Sequence, residues 1–110
     1  ELIEGDRAIL GELVASESLW DRRIAVVSTF ALIRRGELGE TFALAERVMD
    51  DPHHLIHKAV GWMLREAGKR DEAALVAFLE EHRAGMPRTM LRYAIERLTP
   101  EQRAALMARG

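Results

Sequence analysis

The sequence predicts an all-α fold in which antiparallel helix pairs stack as an α-solenoid. Ala, Leu, Glu and Arg are abundant, and β-branched residues are scattered instead of alternating, which favours helices over strands. Only three prolines interrupt the chain. A helix pattern that recurs at offsets of 34 and 35 residues predicts the stacking of pairs.

The size and composition of the chain fit one domain without disulfide bonds. Its 110 residues can bury a core, and the absence of cysteine excludes a disulfide framework and a thiolate metal site. No apolar run approaches the roughly 20 residues that cross a bilayer. We therefore expect a cytoplasmic location and no membrane partner. Because the first residue is Glu1 and not Met, we expect residues 1–110 to be one repeat domain from the C-terminal part of a longer solenoid.

Capping residues and glycines mark the first three helices. Asp6 can accept a hydrogen bond from the free N–H groups of the first helix, and Ser16 or Ser18 can do so for the second. Gly36 ends the second helix and Gly39 begins the third. The predicted ranges of these helices are 6–15, 16 or 18 to 35, and 39–50.

Prolines and further caps mark the later helices. Pro52 disfavours α geometry in the residue before it but suits a first helical turn, so it separates the third and fourth helices. Gly68 is predicted to end the fourth helix, Asp71 to cap the fifth and Pro87 to open the sixth. The segment from Thr99 matches a capping box. The predicted ranges are 52–67, 71–84, 87–98 and a short last helix from 99.

The second, fourth and sixth predicted helices resemble one another. When they are superimposed, Ala25, Ala59 and Ala94 fall in register, flanked by similar residues. A small residue at a recurring close contact between helix pairs is typical of HEAT-like repeats, in which each pair buries its apolar face against its neighbours. The sequence therefore predicts about three HEAT-like pairs and a short terminal helix.

Charge is sorted between the two helices of each predicted pair, although the net charge of the chain is only −2. In a solenoid the second helices line one wall, usually the concave one, and here that wall would be basic. A basic concave wall suits a polyanion because each neutralised phosphate releases counterions. Counting Lys, Arg, Asp and Glu gives net charges of +3, +3 and +2 for residues 18–35, 53–70 and 87–98, and −4, −4 and −3 for residues 1–17, 36–52 and 71–86.

Trp62 and Arg23 occupy unusual helical positions. Trp62 falls at the edge of an apolar stripe, so it is either an edge-of-core residue or one that faces a partner. Arg23 projects with Val27 and Phe30. It either lays its stem along the core and reaches water, or binds an anion between aromatic walls. The pattern alone leaves both pairs of alternatives open.

Motifs for most catalytic chemistry are absent, since the chain has no nucleotide-binding loop, nucleophile elbow, zinc pattern or dinucleotide fingerprint. His53, His54 and His57 have metal-like spacing. Without cysteine or a convergent carboxylate, however, we predict no metal and no cofactor. Asp21 is interpreted as a helix-capping residue and Glu66 as a solvated ion-pair partner, so neither is predicted to be catalytic.

Four segments together resemble the C-terminal half of the AlkD-type DNA alkylation repair glycosylases, over about residues 15–98. They are LWDRRIA at 19–25, KAVGWMLREAGK at 58–69, MPR at 86–88 and RYAIERL at 92–98. The second of these is the most specific. The resemblance implies a HEAT-like solenoid that holds duplex DNA in a basic concave cleft. It further implies removal of positively charged N3- and N7-alkylated purines by hydrolysis of the N-glycosidic bond.

The resemblance also implies roles for single residues. Trp62 matches an active-site tryptophan that packs against the sugar of the damaged nucleotide, and Arg23 matches an arginine beside the lesion. Arg65 and Lys69 match basic positions that we assign to backbone phosphates. The DNA-binding residues expected in addition to Trp62 and Arg23 are Trp20, Lys58, Arg65, Lys69, Arg88 and Arg92.

The family's catalytic aspartate has no counterpart here, because it belongs to a helix upstream of the matching residues. Trp20 and Asp21 do not form its motif, since Trp20 aligns with a different tryptophan close to the arginine. We therefore expect this chain alone to bind duplex DNA containing alkylated purines without excising them. The alternative is a non-catalytic HEAT-like scaffold that binds DNA structures or proteins. An exposed apolar face near residues 2–14 would also favour dimerisation.

Overall fold

The computed structural model describes residues 4–108, and side chains from Ile9 onward. Within that range the protein has seven α-helices, one 3-10 turn at Arg83–Gly85 and no strand, which confirms the predicted all-α class. The α-helices are α1 (Glu4–Val14), α2 (Leu19–Arg34), α3 (Gly39–Arg47), α4 (His54–Arg70), α5 (Glu72–His82), α6 (Arg88–Ala94) and α7 (Pro100–Met107).

Several predicted helix ends have the expected local chemistry. The Ser18 hydroxyl accepts a hydrogen bond from the Asp21 N–H at 3.4 Å, so Ser18 and not Ser16 caps α2. Gly36, with φ of +83°, follows the end of α2 in the left-handed conformation that favours glycine. At α7 the Thr99 hydroxyl and the Gln102 side chain cap each other's backbone N–H groups at 3.1 and 2.9 Å.

Other predicted boundaries are wrong for reasons that lie in tertiary structure. α4 begins at His54 and continues through Gly68 to Arg70. Gly68 does not end the helix; a Cβ there would collide with the Leu75 side chain, so this glycine allows α5 to approach α4. α6 ends at Ala94, four residues early, where the chain turns towards α7. α3 ends at Arg47 and not at residue 50.

The helices pack in two layers. α4 contacts both α2 and α6, so the basic helices form one row, which we call the even layer. α1 contacts α3, and the rings of Phe42 on α3 and Phe78 on α5 lie 4.9 Å apart, so the acidic helices form the other row. This arrangement is consistent with the predicted solenoid. Ala25, Ala59 and Ala94, the residues predicted to share a register, are all buried.

The first helix packs into the core more fully than expected. Leu10 and Val14 are buried, whereas Ile9 is 49% exposed. In the part of the chain whose side chains are described, the predicted apolar face near residues 2–14 is therefore reduced to Ile9. The side chains of Leu2 and Ile3 lie outside the described residues.

Candidate nucleic-acid interface

A groove crosses the outer surface of the even layer and has a volume of about 340 Å³. One wall comes from α2, the floor from α4 and the other wall from α6. The α4 residues recur at positions that share one helical face, which brings cationic and aromatic side chains into a single row. The groove is lined by Arg23, Leu55, Lys58, Ala59, Trp62, Arg65 and Tyr93.

Trp62 is half-buried at the floor of this groove. Its ring lies 6.4 Å from that of Phe30 on α2 at an angle of 31°, and it packs against the buried core. The same side chain lines the groove. The two sequence alternatives are therefore not exclusive, because Trp62 is an edge-of-core residue with a surface open to the groove.

Arg23 and its neighbour Arg22 have different surroundings. The Arg22 guanidinium donates to Asp51 at 2.5 Å and to the backbone carbonyls of Ser16 and Glu17 at 3.0 and 2.9 Å, so it ties the start of α2 to the α3–α4 loop. Arg23 is half-buried and lines the groove, with no carboxylate partner among the described residues. Its charge therefore remains available to an anion.

The α4 cations differ in the same way. Lys58 lines the groove, again with no acidic partner in the described part of the chain. Arg65 also lines it but is paired with Glu96 and lies 3.7 Å from Glu66. Lys69 pairs with Glu66 at 3.2 Å and lies beyond the groove lining. The positive charge of the groove is thus carried mainly by Arg23 and Lys58.

Trp20 lies on the first turn of α2 and is 62% exposed. It precedes Arg23 by three residues, so the two share one face of the helix. Ile24, also exposed, adjoins them. Trp20 therefore extends the α2 wall along the helix without lining the groove itself.

The two predicted α6 arginines do not line the groove. Arg88 is exposed and donates to the Met107 carbonyl at 3.1 Å, so it points towards the C-terminal helix. Arg92 is exposed on α6 without lining the groove. The structure thus brings together Arg23, Lys58, Trp62 and Arg65 of the predicted set. It places Trp20, Lys69, Arg88 and Arg92 outside this constellation.

Tyr93 and Leu55 line the groove but were not predicted as site residues. Tyr93 is 36% exposed and forms the α6 wall. The helix register contained a signal for it, because Tyr93 directly precedes Ala94 just as Lys58 precedes Ala59. Leu55 had no such signal, since it reads as part of the apolar stripe of α4.

Among the residues whose side chains the structure describes, no acidic residue lines the groove. Asp21 lies in the first turn of α2 and its carboxylate accepts a hydrogen bond from the Ser16 hydroxyl at 2.9 Å, but the cap itself is Ser18, so the capping interpretation of Asp21 is wrong and only its place near the positive end of the helix dipole remains. Glu66 departs from expectation, because its side chain is only 13% exposed between Arg65 and Lys69. Its partner Lys69 is 43% exposed, so this ion pair is buried on the carboxylate side and open to solvent on the lysine side. Neither of these two acids lines the groove.

Two of the three clustered histidines, His53 and His57, have backbone partners. The His53 ring nitrogen Nδ1 accepts from the Leu55 N–H at 3.2 Å and thereby caps α4. The Nε2 atom of His57 lies 2.5 Å from the Asp51 carbonyl oxygen. Among the described residues, the group with metal-ligand geometry is Glu46, Glu81 and His82 in the opposite layer, and it includes none of these three histidines.

The fold and the groove define an all-α protein whose even layer carries a groove lined by cationic and aromatic side chains. A family model described as DNA alkylation repair enzyme matches residues 2–98, and the chain belongs to this family. A role in DNA repair follows from that membership. No curated protein and no solved structure matches the chain. None of the described helices combines the length and apolar character needed to span a membrane.

Proposed function

We propose that this chain binds duplex DNA containing alkylated purines, with the damaged nucleotide at the groove of the even layer. The observation that carries the proposal is the convergence of Arg23, Lys58, Trp62 and Tyr93 from three helices on one groove. Family membership supports DNA as the partner.

Electrostatics favours a polyanion at this groove. Arg23 and Lys58 have no carboxylate partner in the described region, and no acid lines the groove between them. A phosphodiester backbone would neutralise both charges and release its own counterions, which makes binding strongly dependent on salt. The arginine fork also matches the geometry of a phosphate oxygen pair.

The aromatic side chains suit a nucleotide that carries positive charge. Loss of a cationic alkylpurine builds oxocarbenium character on the deoxyribose, and the electron-rich face of an indole stabilises a neighbouring cation. Trp62 packs against the core beside Phe30, and the same side chain lines the groove. Tyr93 offers a second ring on the facing wall.

Hydrolysis would need a carboxylate, and none of the described side chains that line the groove supplies one. We propose that the chain alone binds the lesion without cleaving the glycosidic bond. Excision of N3- and N7-alkylated purines would then require a protein that adds an acidic residue to this groove. A scaffold that binds DNA structures or another protein is the alternative, and the exposed Ile24 beside the α2 wall is the feature that favours it.

Fluorescence anisotropy tests the binding proposal. A labelled duplex, either plain or containing one N7-methylguanine, is titrated with protein at 50 and 200 mM NaCl. We expect affinity to fall steeply with salt. The substitution Arg23→Gln should weaken binding of both duplexes. It should also reduce the salt slope, which is the slope of log affinity against log salt concentration, by about one. Trp62→Ala should instead remove any preference for the methylated duplex.

The controls separate this proposal from its alternatives. Arg47→Gln removes the same charge from α3 in the opposite layer, and we expect it to leave the salt slope unchanged. An affinity that does not depend on salt concentration contradicts a DNA-binding groove. An equal loss of duplex affinity in the Arg23→Gln and Arg47→Gln variants contradicts it as well. Tighter binding of branched than of methylated duplexes favours the DNA-structure scaffold. Release of methylated base by the chain alone contradicts the non-hydrolysing part of the proposal.

A further inference from the structure

A second cationic cavity adjoins the groove on the even layer. It has a volume of about 530 Å³ and is lined by Arg65, Lys69, Glu96 and Arg97. Arg65 also lines the groove, so the two sites share this side chain. Three of the four lining residues are cations, which gives the cavity an excess of positive charge.

We propose that this cavity is a phosphate subsite, occupied in the free protein by the carboxylate of Glu96. The inference rests on the proposed DNA-binding function and names two further residues for it, Arg97 as a phosphate contact and Glu96 as the group that bound DNA displaces. The ligand is a backbone phosphodiester of the strand that crosses the groove.

The two carboxylates near Arg65 have different environments. Glu66 is 13% exposed, lies 3.7 Å from Arg65 and pairs with Lys69 at 3.2 Å, so it holds both cations from the protein side. Glu96 is 63% exposed and pairs with Arg65 from the solvent side. An exposed ion pair contributes little net stability, so Glu96 is the carboxylate that an incoming anion can replace.

A phosphodiester matches the group that it would replace. Both carry one negative charge and present two oxygens to the arginine fork, so the charge of Arg65 stays compensated through the exchange. Arg97 has no acidic partner among the residues that the structure describes, and its guanidinium adds a contact that Glu96 does not use. The phosphate would gain this contact together with release of counterions.

Glu96→Gln tests the competing carboxylate. Removing its charge frees Arg65, so we expect the affinity for a plain duplex to rise by about 2- to 5-fold in 50 mM NaCl. The salt slope should stay near its wild-type value, because the same phosphate is neutralised in both complexes. Glu101→Gln on α7 makes the same charge change at an exposed position away from the cavity. Equal effects of the two variants overturn the role of Glu96.

Arg97→Gln tests the subsite itself. This substitution should weaken duplex binding and reduce the salt slope. In the double variant Glu96→Gln/Arg97→Gln, it should abolish most of the increase in duplex affinity that Glu96→Gln alone produces. If this double variant binds as tightly as Glu96→Gln alone, the subsite is wrong. Circular dichroism melting curves of each variant confirm that the helices remain folded.

A second probe keeps this inference separate from the proposed function. Inorganic pyrophosphate is titrated into 15N-labelled protein, and backbone amide shifts are followed at residues 65, 69, 96 and 97. Chemical-shift changes that occur in the wild type and disappear in Arg97→Gln support the subsite, whether or not a duplex binds. Failure of the duplex to bind would contradict only the proposed function. An absence of shifts at these residues, with duplex binding intact, overturns the subsite and leaves the proposed function standing.

Discussion

Gly61 on α4 is a position at which one added methyl group should disturb the packing of α4 against α6. A Cβ placed there would lie 2.5 Å from the Cβ of Tyr93 and 2.7 Å from the backbone oxygen of Met90 on α6. Carbon atoms pack favourably at about 3.5–4.0 Å. Gly61→Ala therefore requires α6 to move by about 1 Å from α4, because a backbone oxygen cannot rotate away.

The expected loss of stability is the difference between two opposing effects. Forcing extra volume into a packed contact costs about 1–3 kcal/mol, and the backbone contact argues for the upper end. Ala is favoured over Gly inside a helix by about 1 kcal/mol. We expect Gly61→Ala to lower the free energy of unfolding by about 2 kcal/mol. For a domain of this size, that corresponds to a fall in Tm of roughly 8 °C.

Urea denaturation followed by tryptophan fluorescence, with calorimetry for Tm, measures this loss. Gly11→Ala on α1 is the matched control, because its added Cβ would meet only the flexible end of Arg47, at 3.3 Å. That variant should be as stable as the wild type or up to about 1 kcal/mol more stable. A Gly61→Ala protein that equals the wild type in stability would refute the close α4–α6 contact.

Two further substitutions test the contacts that hold the helix ends. Asp51→Ala should lower the free energy of unfolding by about 3 kcal/mol in urea denaturation. The substitution removes the carboxylate partner of the Arg22 guanidinium, whose side chain is only 16% exposed. A loss below about 1 kcal/mol would contradict a buried ion pair. Thr99→Ala should lower the free energy of unfolding by about 1 kcal/mol, because it removes the capping box of α7. Hydrogen exchange of the Gln102 amide should become faster. An unchanged exchange rate at Gln102 would contradict the cap.

Features that depend on neighbouring residues in the chain were predictable from the sequence. The caps at Ser18, Asp71 and Thr99 need only a hydroxyl or carboxylate three residues before an N–H group. The register of Ala25 and Ala94 follows from helical periodicity alone. The all-α class and the sorting of charge into layers follow from the same local patterns.

Features that depend on packing between distant residues were not predictable. Gly68 resembles a helix stop in the sequence, and only the approach of Leu75 shows that it serves close packing. Arg65 was expected to contact phosphate freely, yet Glu96 pairs with it from 31 positions further along the chain. Nothing in the spacing of α4 specifies which residue of α6 lies opposite, so this pairing required the fold.

The adjacent residues Gly61 and Trp62 couple the stability of the fold to the shape of the groove. Gly61 is buried against α6 and fixes how closely Tyr93 approaches α4, while Trp62 lines the groove that Tyr93 bounds. A 1 Å displacement of α6 would therefore widen the groove without changing any charged residue. It follows that Gly61→Ala should weaken discrimination of methylated from plain duplex while leaving the salt slope at its wild-type value, since that slope reports phosphates and not the aromatic walls.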